Sequence, residues 1–125
     1  MVKAIASLML GGSLGALSRW ALHYWVDTRV AADSSFPWGI LLVNTLGCFL
    51  FGWLFALFED RQWFSDAVQL AVFTGFLGSF TTFSTFSWNT LELLRQGQGG
   101  LALTNIAASV VLGMIAVWAG FSLAR

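Results

Sequence analysis

The sequence predicts an all-α membrane protein of four transmembrane helices, the third broken at mid-membrane. Three observations carry that reading. Of the 125 residues, 58% are apolar and only 10% are charged, with a mean hydropathy of +0.77, whereas soluble domains carry about 25% charged residues. The apolar residues fall into four stretches, each long enough for a bilayer core of about 30 Å, which needs roughly 20 helical residues per span. The third stretch holds a run of glycines and hydroxyls that disfavours an unbroken membrane helix.

Composition also excludes several classes of function. Seven Trp and twelve Phe argue against disorder. A single cysteine, Cys48, rules out an internal disulfide and a cysteine-based zinc cage, and a single histidine, His23, rules out a His-rich metal cluster. Zero net charge without a basic run leaves no footprint for nucleic acid.

Span one covers about residues 3–26. Its apolar stretch continues past Arg19 to Trp25, too long for the apolar region of a signal peptide. Gly11 and Gly15 form a G-x-x-x-G face that suits close helix packing in lipid. Arg19 follows four residues later. It is expected to reach the aqueous boundary, either lining a positive vestibule or capping the end of the span. His23 is expected at the interface. A polar connector with Asp27, Arg29 and Asp33 closes at Pro37, the only proline.

Span two covers about residues 38–58. Asn44, Gly47, Cys48 and Phe51 share one helical face by their spacing. An amide at this depth needs a partner, because hydrocarbon offers none. Asn44 is therefore either glue between helices or a donor in a pathway, and Cys48 reads as a small apolar residue. Glu59, Asp60 and Arg61 open the second connector.

Span three covers about residues 67–94 and holds the strongest signal, Thr74 to Ser87. These fourteen residues include seven hydroxyls, two glycines and four phenylalanines. The hydroxyls compete for backbone carbonyls, and non-helical backbone survives at membrane depth only inside protein or beside a watery cavity. Carbonyls freed there can hold a cation. Phe76, Phe80, Phe83 and Phe86 form a stripe. Spacing alone reads as core packing, but the interleaved hydroxyls favour a second reading. The edge of a phenyl ring is positively polarised, so ring edges, hydroxyls and an amide make an anion site without a full positive charge.

Span four covers about residues 101–123, after the glycine-rich turn from Arg95 to Gly100. Asn105 and Ser109 lie on one face, as glue or as a polar lining. Trp20, Trp25, Trp38, Trp63 and Trp118 fall near span ends, where an indole is favoured.

Orientation normally follows the positive charges in the loops. Here Lys3, Arg61 and Arg125 oppose Arg19, Arg29 and Arg95, three against three. Without a bias the chain is expected to insert both ways up, so that two opposed copies can pair as a dual-topology antiparallel homodimer. No carboxylate lies mid-span. Proton-coupled transport usually needs one, which disfavours a small dual-topology multidrug-type transporter. A purely structural membrane subunit is supported only by the glycine faces.

These residues resemble the CrcB, or Fluc, family of bacterial fluoride channels over the whole length. The matching motifs are Gly11-Gly12-Ser13-Leu14-Gly15 with Arg19-Trp20, then Val43-Asn44 with Gly47, then Thr74-Gly75-Phe76, Gly78 and Thr81 through Ser87. The resemblance implies a passive fluoride channel rather than an enzyme, built as an antiparallel homodimer in the bacterial inner membrane. It implies that Asn44 lines the entry and that Phe83 and Phe86 offer ring edges to fluoride. Thr82, Ser84 and Thr85 would act as hydroxyl donors, and Ser109 would extend the polar track. It also implies a structural sodium ion at the dimer interface, held by the carbonyls of Gly78 and Thr81. Ser79, Ile40 and Gly113 depart from the family pattern, and Gly113 removes a hydroxyl from the span-four part of the track.

Overall fold

The computed structural model describes residues 1–59 and 64–125. The expectations for Asp60, Arg61 and Trp63 lie outside the described residues. Every regular element among those described is helical, and four helical stretches are long and apolar enough to cross a membrane: Val2–Val30, Trp38–Glu59, Asp66–Arg95 and Gly99–Leu123. The chain is a multi-pass membrane protein.

Helix α1 (Val2–Trp25) passes into a wider π-helical turn, Val26–Val30. Helical backbone thus enters the segment read from the sequence as connector. Local bonds account for the extension: Thr28 Oγ1 donates to the Tyr24 carbonyl at 2.7 Å, and the Ala31 N–H donates to the Val26 carbonyl at 2.9 Å. Helix α2 (Trp38–Glu59) lacks a capping residue immediately before it. Its Gly39 N–H is instead taken by Asp27 Oδ1 at 3.0 Å, across the connector, and Asp27 Oδ2 lies 3.0 Å from His23 Nδ1. A carboxylate at a helix start satisfies orphan N–H groups and complements the dipole.

The third span is composite. A short helix α3 (Asp66–Gln69) is capped by Ser65, an eight-residue π-helical stretch Leu70–Leu77 follows, and α4 (Gly78–Phe80) ends the first half. Thr81 (φ −81°, ψ 155°) and Thr82 (φ −149°, ψ 116°) are extended, and α5 (Phe83–Arg95) resumes beyond them. Helix α6 (Gly99–Leu123) starts after a turn in which Gly97 has φ +74°, a conformation open to glycine at no steric cost.

Two glycine contacts set the packing. On α1, a Cβ at Gly11 or Gly15 would strike the backbone carbonyl of Ala71 or Phe76, so α1 lies directly on the π-helical stretch. The most extensive pairing joins α2 and α6, where Gly52 faces Val117 and Gly120 faces Phe49 at backbone distance. Small residues permit such close approach in lipid. Large apolar side chains cover the outside of the protomer, Met9, Leu103, Met114 and Trp118 among them.

Candidate functional site

The extended pair Thr81–Thr82 is held from α2. Asn44 Oδ1 accepts the Thr82 N–H at 2.8 Å, and Asn44 Nδ2 donates to the Thr82 carbonyl at 3.1 Å. The amide thus replaces both halves of the helical pattern that the chain gives up at this point. The Thr82 hydroxyl then starts α5. It accepts the Thr85 N–H at 3.3 Å and lies 3.0 Å from Thr85 Oγ1 and 3.3 Å from Ser84 Oγ. Three hydroxyls therefore gather at one helix start, where N–H groups and the helix dipole favour negative charge. Thr82 itself is buried.

Close packing leaves no slack behind this point. A side chain at Gly47, one turn beyond Asn44, would collide with the Thr81 methyl group and crowd the Phe80 ring. The phenylalanine stripe divides at Thr81. Phe76 and Phe80 stack with centroids 5.7 Å apart, and Phe80 is buried at 3% exposure. Phe83 and Phe86 pair beyond the extended residues with centroids 5.5 Å apart and ring planes tilted by 46°. Phe83 is 78% exposed on the protomer surface.

A groove of about 550 Å³ opens between α2, the first half of the third span and α6. Asn44, Gly78, Thr81, Thr82, Phe83 and Ser109 line it, on a wall that is otherwise mostly apolar. Six of the residues singled out from the sequence thus meet at one surface. Ser84, Thr85, Phe86 and Arg19 are not part of that lining. Ser84 and Thr85 join it through the Thr82 hydroxyl, and Phe86 through its contact with Phe83. Arg19 is half-buried on α1, a helix that supplies no residue to the groove.

Ser109 Oγ is buried without a hydrogen-bond partner among the described residues. Asn105, by contrast, is 1% exposed and spends its amide on packing. Its Nδ2 donates to Thr90 Oγ1 at 2.9 Å, which in turn donates to the Phe86 carbonyl at 2.8 Å. Sequence reasoning did not give Cys48 a place in the site, yet it lines the groove. Its position one turn beyond Asn44 on the same face is the signal that carries it there.

The model for the family described as "CrcB-like protein, Camphor Resistance (CrcB)" matches residues 6–121. The chain belongs to the CrcB family. It is 41% identical over 125 residues to the fluoride-specific ion channel FluC of Nitrosococcus oceani, covering all of this chain and 98% of the relative. It is 44% identical over 121 residues to the FluC of Magnetococcus marinus, covering 97% of each. The FluC of Pyrococcus horikoshii is 40% identical over 123 residues, covering 98% of this chain and 97% of the relative.

Proposed function

We propose that this CrcB-family protein is a fluoride-selective channel that lowers cytoplasmic fluoride by passive efflux across the bacterial inner membrane. The observation that carries the reading is the Asn44–Thr82 clamp, which holds a helix start, three hydroxyls and the exposed Phe83 ring beside a groove at the centre of a membrane-spanning stretch. Fluoride is small and strongly hydrated, so a pore must replace its water with close donors. Filter ligands do this without holding the ion too tightly. The donors here are neutral: hydroxyls, an amide and the positively polarised edges of Phe83 and Phe86.

A groove open to lipid on one side would not conduct, because hydrocarbon satisfies neither an ion nor the few polar groups on the wall. A second copy covering the groove supplies the missing wall, and the high exposure of Phe83 supports such a cover. The balanced positive charges support opposed orientations of the two copies. In that dimer the interruption at Thr81–Thr82 lies at mid-membrane, and Arg19 lines the aqueous approach.

The carbonyls of Gly78 and Thr81 fit a sodium ion. In an unbroken α-helix they would accept from the N–H groups of Thr82 and Thr85. Those donors turn instead to Asn44 Oδ1 and Thr82 Oγ1. Gly78 and Thr81 would hold the ion at the dimer interface, and the ion would supply fixed positive charge near the anion path without a titratable side chain.

The test is efflux from liposomes loaded with fluoride or chloride, with a potassium ionophore to balance charge. Fluoride should leave rapidly and chloride should stay. Equal loss of the two anions would contradict selectivity, and no loss of either would contradict the channel reading.

A further inference from the structure

One group on the groove wall has no role in the account above. Cys48 lies one turn beyond Asn44 on α2 and is the only cysteine of the chain. It lines the groove together with Ser109 and Gly113 of α6. A Cβ built on Gly113 would lie 3.5 Å from Cys48 Sγ. The thiol therefore stands across from bare backbone, at the distance where a side chain at position 113 would reach ordinary van der Waals contact with it. The second observation is independent of the thiol. Ser109, one turn before Gly113, has a buried Oγ without a hydrogen-bond partner among the described residues, and an unsatisfied buried hydroxyl asks for a ligand or water at that point. Most of the remaining wall is apolar, including Leu77, Val110 and Val117.

We infer that Cys48 is a permeation residue: its S–H is a weak donor to the passing anion beside Asn44 and Ser109, across from Gly113. The inference rests on the fluoride-channel reading. A thiol is polarisable and donates weakly, so it lowers the cost of dehydration on an apolar wall without trapping the ion. The alternative is a small apolar filler between α2 and α6. The two differ in what restores function once the thiol is gone.

The experiment is fluoride efflux per dimer of wild-type elution volume, for Cys48→Ala, Cys48→Ser and two double variants. Loss of this weak donor should cut the rate of Cys48→Ala by roughly two- to tenfold. Cys48→Ser should keep most of the rate. Adding Gly113→Ser to Cys48→Ala should restore flux, because the new hydroxyl enters the vacated space. Adding Gly113→Ala fills space without a donor and should not. Full flux in Cys48→Ala, or equal rescue by Gly113→Ala and Gly113→Ser, would overturn the inference while leaving the channel reading intact. Absence of fluoride flux in the unmodified protein would overturn both. A second measurement covers variants that fail to assemble. In the unmodified dimer, a small methanethiosulfonate should react with Cys48 more slowly at high fluoride than at equal ionic strength without it. In that reaction the thiolate forms a disulfide and releases methanesulfinate. Unchanged reactivity with fluoride would count against the assignment.

Discussion

Asn44 and Thr82, 38 positions apart in the chain, are joined by two hydrogen bonds: the Thr82 N–H donates to Asn44 Oδ1 at 2.8 Å, and Asn44 Nδ2 donates to the Thr82 carbonyl at 3.1 Å. This pairing makes Asn44 a support of the interrupted backbone as well as a groove residue. Asn44→Asp keeps the acceptor but sets a carboxylate against the Thr82 carbonyl and a negative charge in the proposed anion path. Asn44→Ser loses reach to both backbone groups. Leaving a buried group unsatisfied costs about 1–3 kcal/mol, so both variants should melt earlier than wild type. Asn44→Asp should also block fluoride more severely than Asn44→Ser. Melting curves and efflux on the same preparations check both statements.

The α1 glycines should not be equivalent. Gly11→Ala drives a methyl group into the Ala71 carbonyl, whereas a Cβ at Gly12 would meet Ser79 Oγ at 3.4 Å and the Gly75 carbonyl at 4.0 Å, both ordinary contacts. Overpacking typically costs about 1–3 kcal/mol, so Gly11→Ala should lose about 2 kcal/mol. Gly12→Ala should stay close to wild type. Thermal unfolding in detergent distinguishes them, and equal losses would place the close approach elsewhere.

Sodium should stabilise the assembled protein. A site exposed to sodium at about 100 times its Kd adds about 2.7 kcal/mol to stability. Exchange into a large organic cation should therefore lower the melting temperature and favour protomers, with recovery on returning sodium. Thr81→Ser should retain the effect, because the carbonyl is unchanged. Identical melting with and without sodium, after time for exchange, would remove the ion from the account.

Balanced charge predicts both orientations in one cell. A C-terminal tag should be reachable from both faces of the membrane. Extra lysines at one end should bias insertion and impair efflux, and co-expression of an oppositely biased copy should restore it. A tag confined to one face would contradict dual topology.

Much of this architecture was legible because lipid imposes simple constraints. Hydropathy located the four membrane-crossing stretches, and the cluster of glycine and hydroxyl residues includes Thr81 and Thr82, whose backbone is extended. Asn44, Thr82, Phe83 and Ser109 were legible as polar or aromatic residues in unusual company. The π-helical stretch Leu70–Leu77 was not; it lies where α1 approaches the backbone of Ala71 and Phe76, a contact between spans that spacing within one span does not encode. The extension of α1 through Val30 was hidden by Asp27, whose charge reads as loop. In the structure that carboxylate serves the Gly39 N–H of the next helix. The helix-like spacing of the phenylalanines, by four, three and three residues, concealed their division at Thr81, since periodicity assumes an unbroken helix.

That division provides the most direct test of the central claim, that an uncharged groove passes fluoride past phenyl edges. Phe80 is 3% exposed and Phe83 is 78% exposed, so the same substitution probes packing at one and the groove at the other. The measurement is fluoride efflux per assembled dimer for Phe80→Leu and Phe83→Leu, beside their melting temperatures. Phe80→Leu should lower stability, by less than about 3 kcal/mol, and leave surviving dimers conducting. Phe83→Leu should assemble and melt nearly as wild type yet conduct far more slowly, because leucine lacks a positively polarised edge. Wild-type flux in well-assembled Phe83→Leu would contradict the account.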